Sequence, residues 1–272
     1  MSYHSPQSSK NAPASNSQII IVIGIFVSAI ALIFWLLNLL IHGLIGIIPP
    51  EVERKLGAVI VPVYEKQAQV SPQQDTLNQL LDRLEKNLPE KQQKQHNYQV
   101  LYIPEPTINA LAVPGDRVII YRGLLEKMGS ENELMMVLGH ELGHFAHRDH
   151  LRGLGNALVL RMTISLFLGD SSFFQNAIAT AVKAIGNARF SQSQEKQADE
   201  FGLILLNKTY GHVAGATDFF TQLSKEKKRD VSFLSTHPAP QQRVKEMQKI
   251  IAKNNYKLED KLPLPITLQN LS

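Results

Sequence analysis

The sequence predicts an α+β fold, mostly helical with a small β-sheet or hairpin, behind one N-terminal transmembrane helix. Three observations carry that expectation. Residues 19–41 contain no charged side chain. Residues 98–121 alternate in polarity and are punctuated by Pro and Gly. Apolar residues at helical spacing dominate on both sides of that stretch. Hydrophobic residues make up 44% of the 272 and charged residues 19%, so a packed core is feasible and wholesale disorder is excluded. The formal charge of +4 comes from scattered basic residues. That scatter speaks against a nucleic-acid surface and fits a weak attraction to anionic lipid. There is no cysteine. Disulfides, thiolate nucleophiles and Cys-type metal sites are therefore excluded, and any metal must be held by His and carboxylate.

The elements follow in order. Residues 1–18 are rich in Ser, Gln, Asn and Pro, with Lys10 the single charge, and are expected as a disordered tail. A helix over Ile19–Ile41 spans roughly 35 Å at ~1.5 Å per residue, sufficient for a bilayer core. A cleaved signal is the rival reading, since Ala29-Ile30-Ala31 has the small-residue form. The run continues apolar from Leu32 to Ile41, so an uncleaved anchor is preferred. Lys10 on the first flank, against a cancelling Glu51, Glu53, Arg54 and Lys55 on the second, favours an extracytoplasmic C-terminal part.

Glu51–Gln69 reads as a helical segment interrupted at Pro62. Asp75–Leu88 is an amphipathic helix with Leu77, Leu80, Leu81, Leu84 and Leu88 on one side. Pro89–His96 is a polar connector. Strands are expected over Tyr98–Ile103, Asn109–Val113 and Arg117–Tyr121, the last two a hairpin around Pro114-Gly115-Asp116. Ser130 and Glu133, at capping-box spacing, start a long helix. Ala157–Leu168, broken by Arg161, is too short to span a bilayer and is expected as a buried or membrane-grazing helix. Further helices are expected over Ser193–Asn207, Val213–Lys227 and about Pro238–Lys253.

Chemistry concentrates in residues 140–150, which read His-Glu-Leu-Gly-His-Phe-Ala-His-Arg-Asp-His. On a helix, positions i and i+4 share a face, so His140 and His144 converge on one ion. Glu141, ~100° round, can reach water beside that ion without ligating it. Such a set is that of a zinc hydrolase with Glu141 as general base. Gly139 and Gly143 permit close backbone approach. A catalytic zinc needs a third protein ligand. His150 falls at a spacing used by some zinc peptidases, but their turn requires Gly where His147 stands. On a continuing helix His150 lies ~9 Å along the axis and ~120° off the face. His147 is read as a packing residue. Glu195 is the better candidate, with Asp199 four residues on to bond a ligand histidine from outside. Spacing alone leaves that pair open between a metal role and a solvated helix face.

Four stretches together resemble the membrane-associated zinc metallopeptidases that include HtpX and the CaaX prenyl proteases. They are Asn109–Gly115 with Tyr121–Leu125, Glu133–His150, Glu195–Gly202, and His237-Pro238 with Arg243. The resemblance implies Glu195 as the third zinc ligand, Asp199 bonding a ligand from behind, and His237 and Arg243 near the cleft. It departs in topology: those relatives have several spans and one is found here. The chain looks more like the single-anchor or lipid-anchored quality-control members, and CaaX processing is not expected.

His237 is a candidate oxyanion donor or resting-state ligand, or merely a residue before a helix starting at Pro238. Arg243 is a candidate for holding a substrate carbonyl or buttressing the site. The resulting expectation is a zincin-like domain holding one Zn²⁺ per chain. Its hairpin strand, about Asp116–Tyr121, would pair with extended, unfolded or misassembled protein substrates at a membrane. The division is tail 1–18, anchor 19–48, juxtamembrane region 51–96, catalytic domain 97–254 and C-terminal tail 255–272. The alternative is a non-proteolytic, membrane-tethered chaperone or assembly factor that keeps the zinc. The presence of Glu141, which a binder does not need, speaks against it. A purely structural zinc is weaker still, because structural sites tend to be closed by four protein ligands.

Overall fold

The computed structural model describes residues 16–46, 48–155, 180–226, 231–269 and 271. It divides into two units, Met1–Leu44 and Ile45–Ser272. The first is carried by helix α1 (Asn16–Gly46), whose apolar side chains face outward, Ile20 at 69% exposure and Phe26 at 66%. No helix among the described residues is long and apolar enough to cross a membrane. The expected transmembrane segment is thus present as a helix and not as a demonstrated span.

The second unit opens with α2 (Pro50–Glu65), which runs through Pro62 rather than breaking there. Pro62 lies in the last turn and removes a single helical hydrogen bond. Ser71 caps α3 (Pro72–Glu85) by accepting from the Gln74 N–H, and Leu77, Leu80, Leu81 and Leu84 bury its inner face. The expected connector contains a short helix, α4 (Glu90–Gln95).

Three strands follow: β1 (Gln99–Ile103), β2 (Ala110–Val113) and β3 (Arg117–Tyr121), in sheet order β1-β3-β2. The β2–β3 hairpin is antiparallel, Leu111 opposite Ile119, while β1 runs parallel to β3, Val100 beside Val118. This corrects one expectation. The strand 117–121 is central and paired on both sides, so it offers no edge to a substrate. The edges are β1 and β2, and the outward groups of β1 at Val100 and Tyr102 bond Asn78, Gln74 and Gln69. Tyr121 N–H donates to the Asn109 carbonyl at 3.3 Å. Alternation then turns the backbone groups of Leu111 and Val113 toward β3 and those of Ala110 and Ala112 outward.

After α5 (Arg122–Leu125), helix α6 (Glu131–Ala146) runs through the core and crosses α8 (Gln192–Tyr210). The crossing is close because the facing residues are small. A Cβ on Gly143 would sit 2.7 Å from the Ala198 Cα, and one on Gly139 would sit 3.1 Å from the Gly202 Cα. A short α7 (Asp149–Gly153) separates them in sequence. The stretch 157–168 lies outside the described residues. A Ser191/Gln194 capping box opens α8, and Gly211 at φ 77° closes it.

The helix expected over Val213–Lys227 is found only as α9 (Asp218–Leu223), because turns around Gly215 at φ 82° occupy the preceding residues. Next come α10 (Phe233–Thr236) and α11 (Pro240–Lys253). The latter starts two residues later than expected because Ala239 takes φ 60°. The C-terminal segment is no free tail. The Leu262 carbonyl accepts from Glu131 N–H at 3.0 Å, its N–H donates to Asn132 Oδ1 at 2.8 Å, and Leu264 and Leu268 (in α12, Ile266–Gln269) enter the core. It clasps the first turn of α6.

Candidate metal centre

Ser130 caps α6 as its spacing predicts, its hydroxyl accepting from the Glu133 N–H at 3.2 Å. The helix then delivers His140, Glu141 and His144, all fully buried. The Nε2 atoms of the two histidines lie 3.1 Å apart. Glu195, near the start of α8, places Oε2 at 3.7 Å from His140 Nε2 and Oε1 at 3.7 Å from His144 Nε2. His237 follows α10 and puts Nδ1 3.2 Å from His140 Nε2 and 3.0 Å from Glu195 Oε1. One ligand atom from each of these four side chains lies within 4.8 Å of the others.

This donor set fits a divalent cation. Burial, together with the positive Arg243, holds the pKa of His140 and His237 well below the usual imidazole value. Burial also lowers His144, against the pull of Asp149. Uncharged imidazoles then converge lone pairs on one another, which a shared cation resolves. His237 Nε2 is buried without a hydrogen-bond partner, and the Glu141 carboxylate meets only the weakly aligned Ala112 N–H among the described residues. An orphaned polar atom in a protein interior suits a site that binds a cation. Burial, and then the charge of Glu195, pushes Glu141 up to about 8, with Arg243 and the Ala112 N–H opposing. Burial likewise takes Glu195 up to about 7 against Arg243. A cation at the cluster would pull both down.

Three of the four donors have partners behind them. His140 Nδ1 lies 3.0 Å from Asp199 Oδ1. His144 Nδ1 donates to Asp149 Oδ2 at 3.0 Å. Glu195 Oε2 meets Arg243 Nη1 at 2.6 Å, an ion pair without hydrogen-bond alignment. Arg243 also donates to Asp199 through Nε at 2.9 Å and Nη2 at 2.6 Å, and lies over the Phe220 ring. Its guanidinium is thus committed to two carboxylates behind the cluster, the buttressing alternative. Nη1 itself makes no hydrogen bond.

Asp149 escapes the sequence reading. Treating α6 as continuous carries residue 149 away from His144. In fact α6 stops at Ala146, and Arg148 turns the chain at φ 59°, ψ 28°. The available signal was a carboxylate five residues after the second His. Phe190, stacked on the His144 ring at 3.9 Å, gave none. The same turn sends His150 to Glu53, Nε2 to Oε1 at 2.6 Å, and away from the cluster. His147 Nδ1 donates to the Gly143 carbonyl.

Residues 72–251 match the family model described as Peptidase family M48. The chain belongs to peptidase family M48. The M48 match begins with α3, ends within α11 and encloses all four donors. Similar proteins include the metalloprotease LoiP of Escherichia coli, 31% identical over 157 residues, covering 56% of this chain and 61% of LoiP. The mitochondrial metalloendopeptidase OMA1 of Arabidopsis thaliana is 28% identical over 153 residues, covering 55% of this chain and 30% of OMA1. A putative β-barrel assembly-enhancing protease of Vibrio cholerae is 30% identical over 155 residues, covering 52% and 32%. This M48 chain thus aligns with about six-tenths of LoiP and about a third of the other two.

Proposed function

We propose that the chain is a zinc-dependent endopeptidase of zincin-like fold, anchored at a membrane by α1, that cleaves unfolded or misassembled proteins in quality control. One observation carries the reading. Glu141 is fully buried beside the four donors and faces the Ala112 N–H of the edge strand β2. A structural site has no use for such a carboxylate.

His140, His144 and Glu195 would hold one zinc ion. Zinc supplies Lewis acidity, lowering the pKa of water toward ~7 and polarising a peptide carbonyl. Glu141 Oε takes the proton of the attacking water and returns it to the departing amine. An extended substrate pairs with the outward carbonyls of Ala110 and Ala112, whose N–H groups face Asn109 Oδ1 and Glu141, which selects conformation more than sequence. That favours unfolded chains. Exposed apolar α1 supports the anchor, and the flanking charges support an extracytoplasmic domain.

The test is Glu141→Gln on the full chain in detergent, with an unfolded protein as substrate. Cleavage should fall by about 10²–10⁴-fold while one zinc per chain remains. Cleavage at the parent rate removes Glu141 as the base. A Gln variant that cleaves nothing yet restores function to cells lacking the protein would favour a chaperone.

A further inference from the structure

We propose that Glu53, on α2, is a positioning residue for the metal site and acts through Asp149. The inference rests on reading the four-donor cluster as a metal centre. Glu53 lies outside the family match, which begins at residue 72.

His144 needs a partner on Nδ1 to fix its ring and keep Nε2 aimed at the cluster. Asp149 is that partner, yet it stands only five residues further along the chain. On a continuing helix it would lie ~7.5 Å along the axis and ~140° round. The contact exists because Arg148 takes a left-handed conformation, φ 59° and ψ 28°, which side-chain-bearing residues rarely adopt. Something must hold that turn. Arg148 Nη2 donates to Glu53 Oε2 at 2.9 Å, and His150 Nε2 donates to Glu53 Oε1 at 2.6 Å. The two neighbours of Asp149 are clamped on one carboxylate. Asp149, between them, points the other way and meets His144 at 3.0 Å.

Glu53 and His150 are buried at 4% and 3% exposure, while the Arg148 side chain is 22% exposed. Burial alone would raise the Glu53 pKa, but His150 and Arg148 outweigh it and hold it at about 2, so the carboxylate stays charged. The helix presenting it is itself fixed. One turn on from Glu53, Gly57 lies against the β2–β3 turn, where a Cβ would come 2.4 Å from the Gly115 Cα and 2.8 Å from the Pro114 carbonyl oxygen. Glu53 and Gly57 share a face of α2. Thus α2 seats against the turn of the edge strand and grips the end of the metal helix.

The experiment measures zinc affinity by chelator competition, and the cobalt-substituted absorption spectrum, for the full chain in detergent. Glu53→Ala should bind zinc about tenfold more weakly and alter the cobalt ligand-field bands. Asp149→Asn should do the same or more. If Glu53 acts through Asp149, Glu53→Ala added to Asp149→Asn weakens binding no further. Arg148→Gly in the Glu53→Ala background should recover affinity, because glycine adopts the turn freely. Glu53→Gln fills the same space and decides the matter if the Ala variant does not fold.

Wild-type affinity and spectrum in a folded Glu53 variant overturn the relay, as do losses that multiply in the double variant. If the unaltered chain binds no zinc, the metal centre falls and the relay with it. If it binds zinc and only the Glu53 variants are silent, the metal centre stands without the relay.

Discussion

Substituting Gly143 by Ala tests whether the closeness of α6 and α8 builds the metal site. In an open helix this change is favourable by about 1 kcal/mol, because glycine is a poor helix former. Here the new Cβ would meet the Ala198 Cα at 2.7 Å and its carbonyl oxygen at 3.0 Å, where ordinary contact begins near 3.4 Å. Backbone faces backbone, so no side chain can swing aside, and the helices must part by about 0.7 Å. Overpacking of this kind costs roughly 1–3 kcal/mol. Taking the upper end against the propensity gain leaves a net loss of about 2 kcal/mol. For a domain of this size that is a fall in Tm of about 4–8 °C. Separation also moves Glu195 on α8 from His140 and His144 on α6, and metal ligands tolerate only about 0.2 Å. Zinc affinity should therefore fall more than tenfold. Thermal unfolding with and without chelator and a zinc competition assay read both effects. The control is Gly186→Ala, where no atom lies within 4 Å of the new Cβ and stability should hold or rise. A Gly143→Ala protein that melts at or above the parent temperature and binds zinc equally would refute the argument.

Two further outcomes follow from the same contacts. Glu53 has a folded pKa of about 2 against 4.5 for the free group, so its contribution is present above about pH 4.5 and is lost as pH falls toward 2. The amount is about 3 kcal/mol, and Glu53→Gln should flatten that part of the acid-unfolding curve; an unchanged curve contradicts the pairing. Deleting residues 256–272 removes the Leu264 and Leu268 burial and the Leu262 bonds to α6. At roughly 1.5–3 kcal/mol per buried leucine, calorimetry should register a loss of several kcal/mol, and an unshifted Tm would show that the segment is dispensable.

Local rules carried much of the fold. The Ser130 cap, the leucine spacing of α3 and the Pro114-Gly115-Asp116 turn are decided by neighbouring residues, and the sequence could be read directly for them. What failed depends on contacts distant in the chain. The order β1-β3-β2 is a long-range pairing, so the strand expected at the edge proved central and β2 took its place. The segment after Asn255 looks polar, yet two leucines and Leu262 find α3 and α6 only in three dimensions. In the candidate site, i,i+4 geometry brought His140 and His144 together, because one helical turn fixes both. Asp149 was lost to a single dihedral, the positive φ at Arg148, which depends on Glu53 ninety-odd residues away. A helix rule cannot anticipate a stop imposed by a distant carboxylate.

Four donors rather than three make His237 the residue on which the proposed peptidase chemistry turns. Structural zinc sites are closed by four protein ligands, whereas catalytic ones leave a position open. The four are not equivalent. His140 backs onto Asp199, His144 onto Asp149 and Glu195 onto Arg243, at 3.0, 3.0 and 2.6 Å. His237 has none at that range: its Nε2 makes no hydrogen bond and stands 3.7 Å from Glu141 Oε1, and its ring is held by stacking on Phe233 at 4.3 Å and packing on Phe190 at 5.0 Å. A ligand histidine normally gives its second nitrogen to a carboxylate or carbonyl. Three donors are therefore oriented from behind, and the fourth is displaceable. It follows that His237→Ala should keep zinc within about tenfold of the parent affinity while cleavage falls, whereas His144→Ala should release the metal. Equilibrium dialysis against zinc and a peptidase assay separate the two. Should His237→Ala shed zinc as completely as His144→Ala, the site is closed by four equal ligands and Glu141 has no open position to serve.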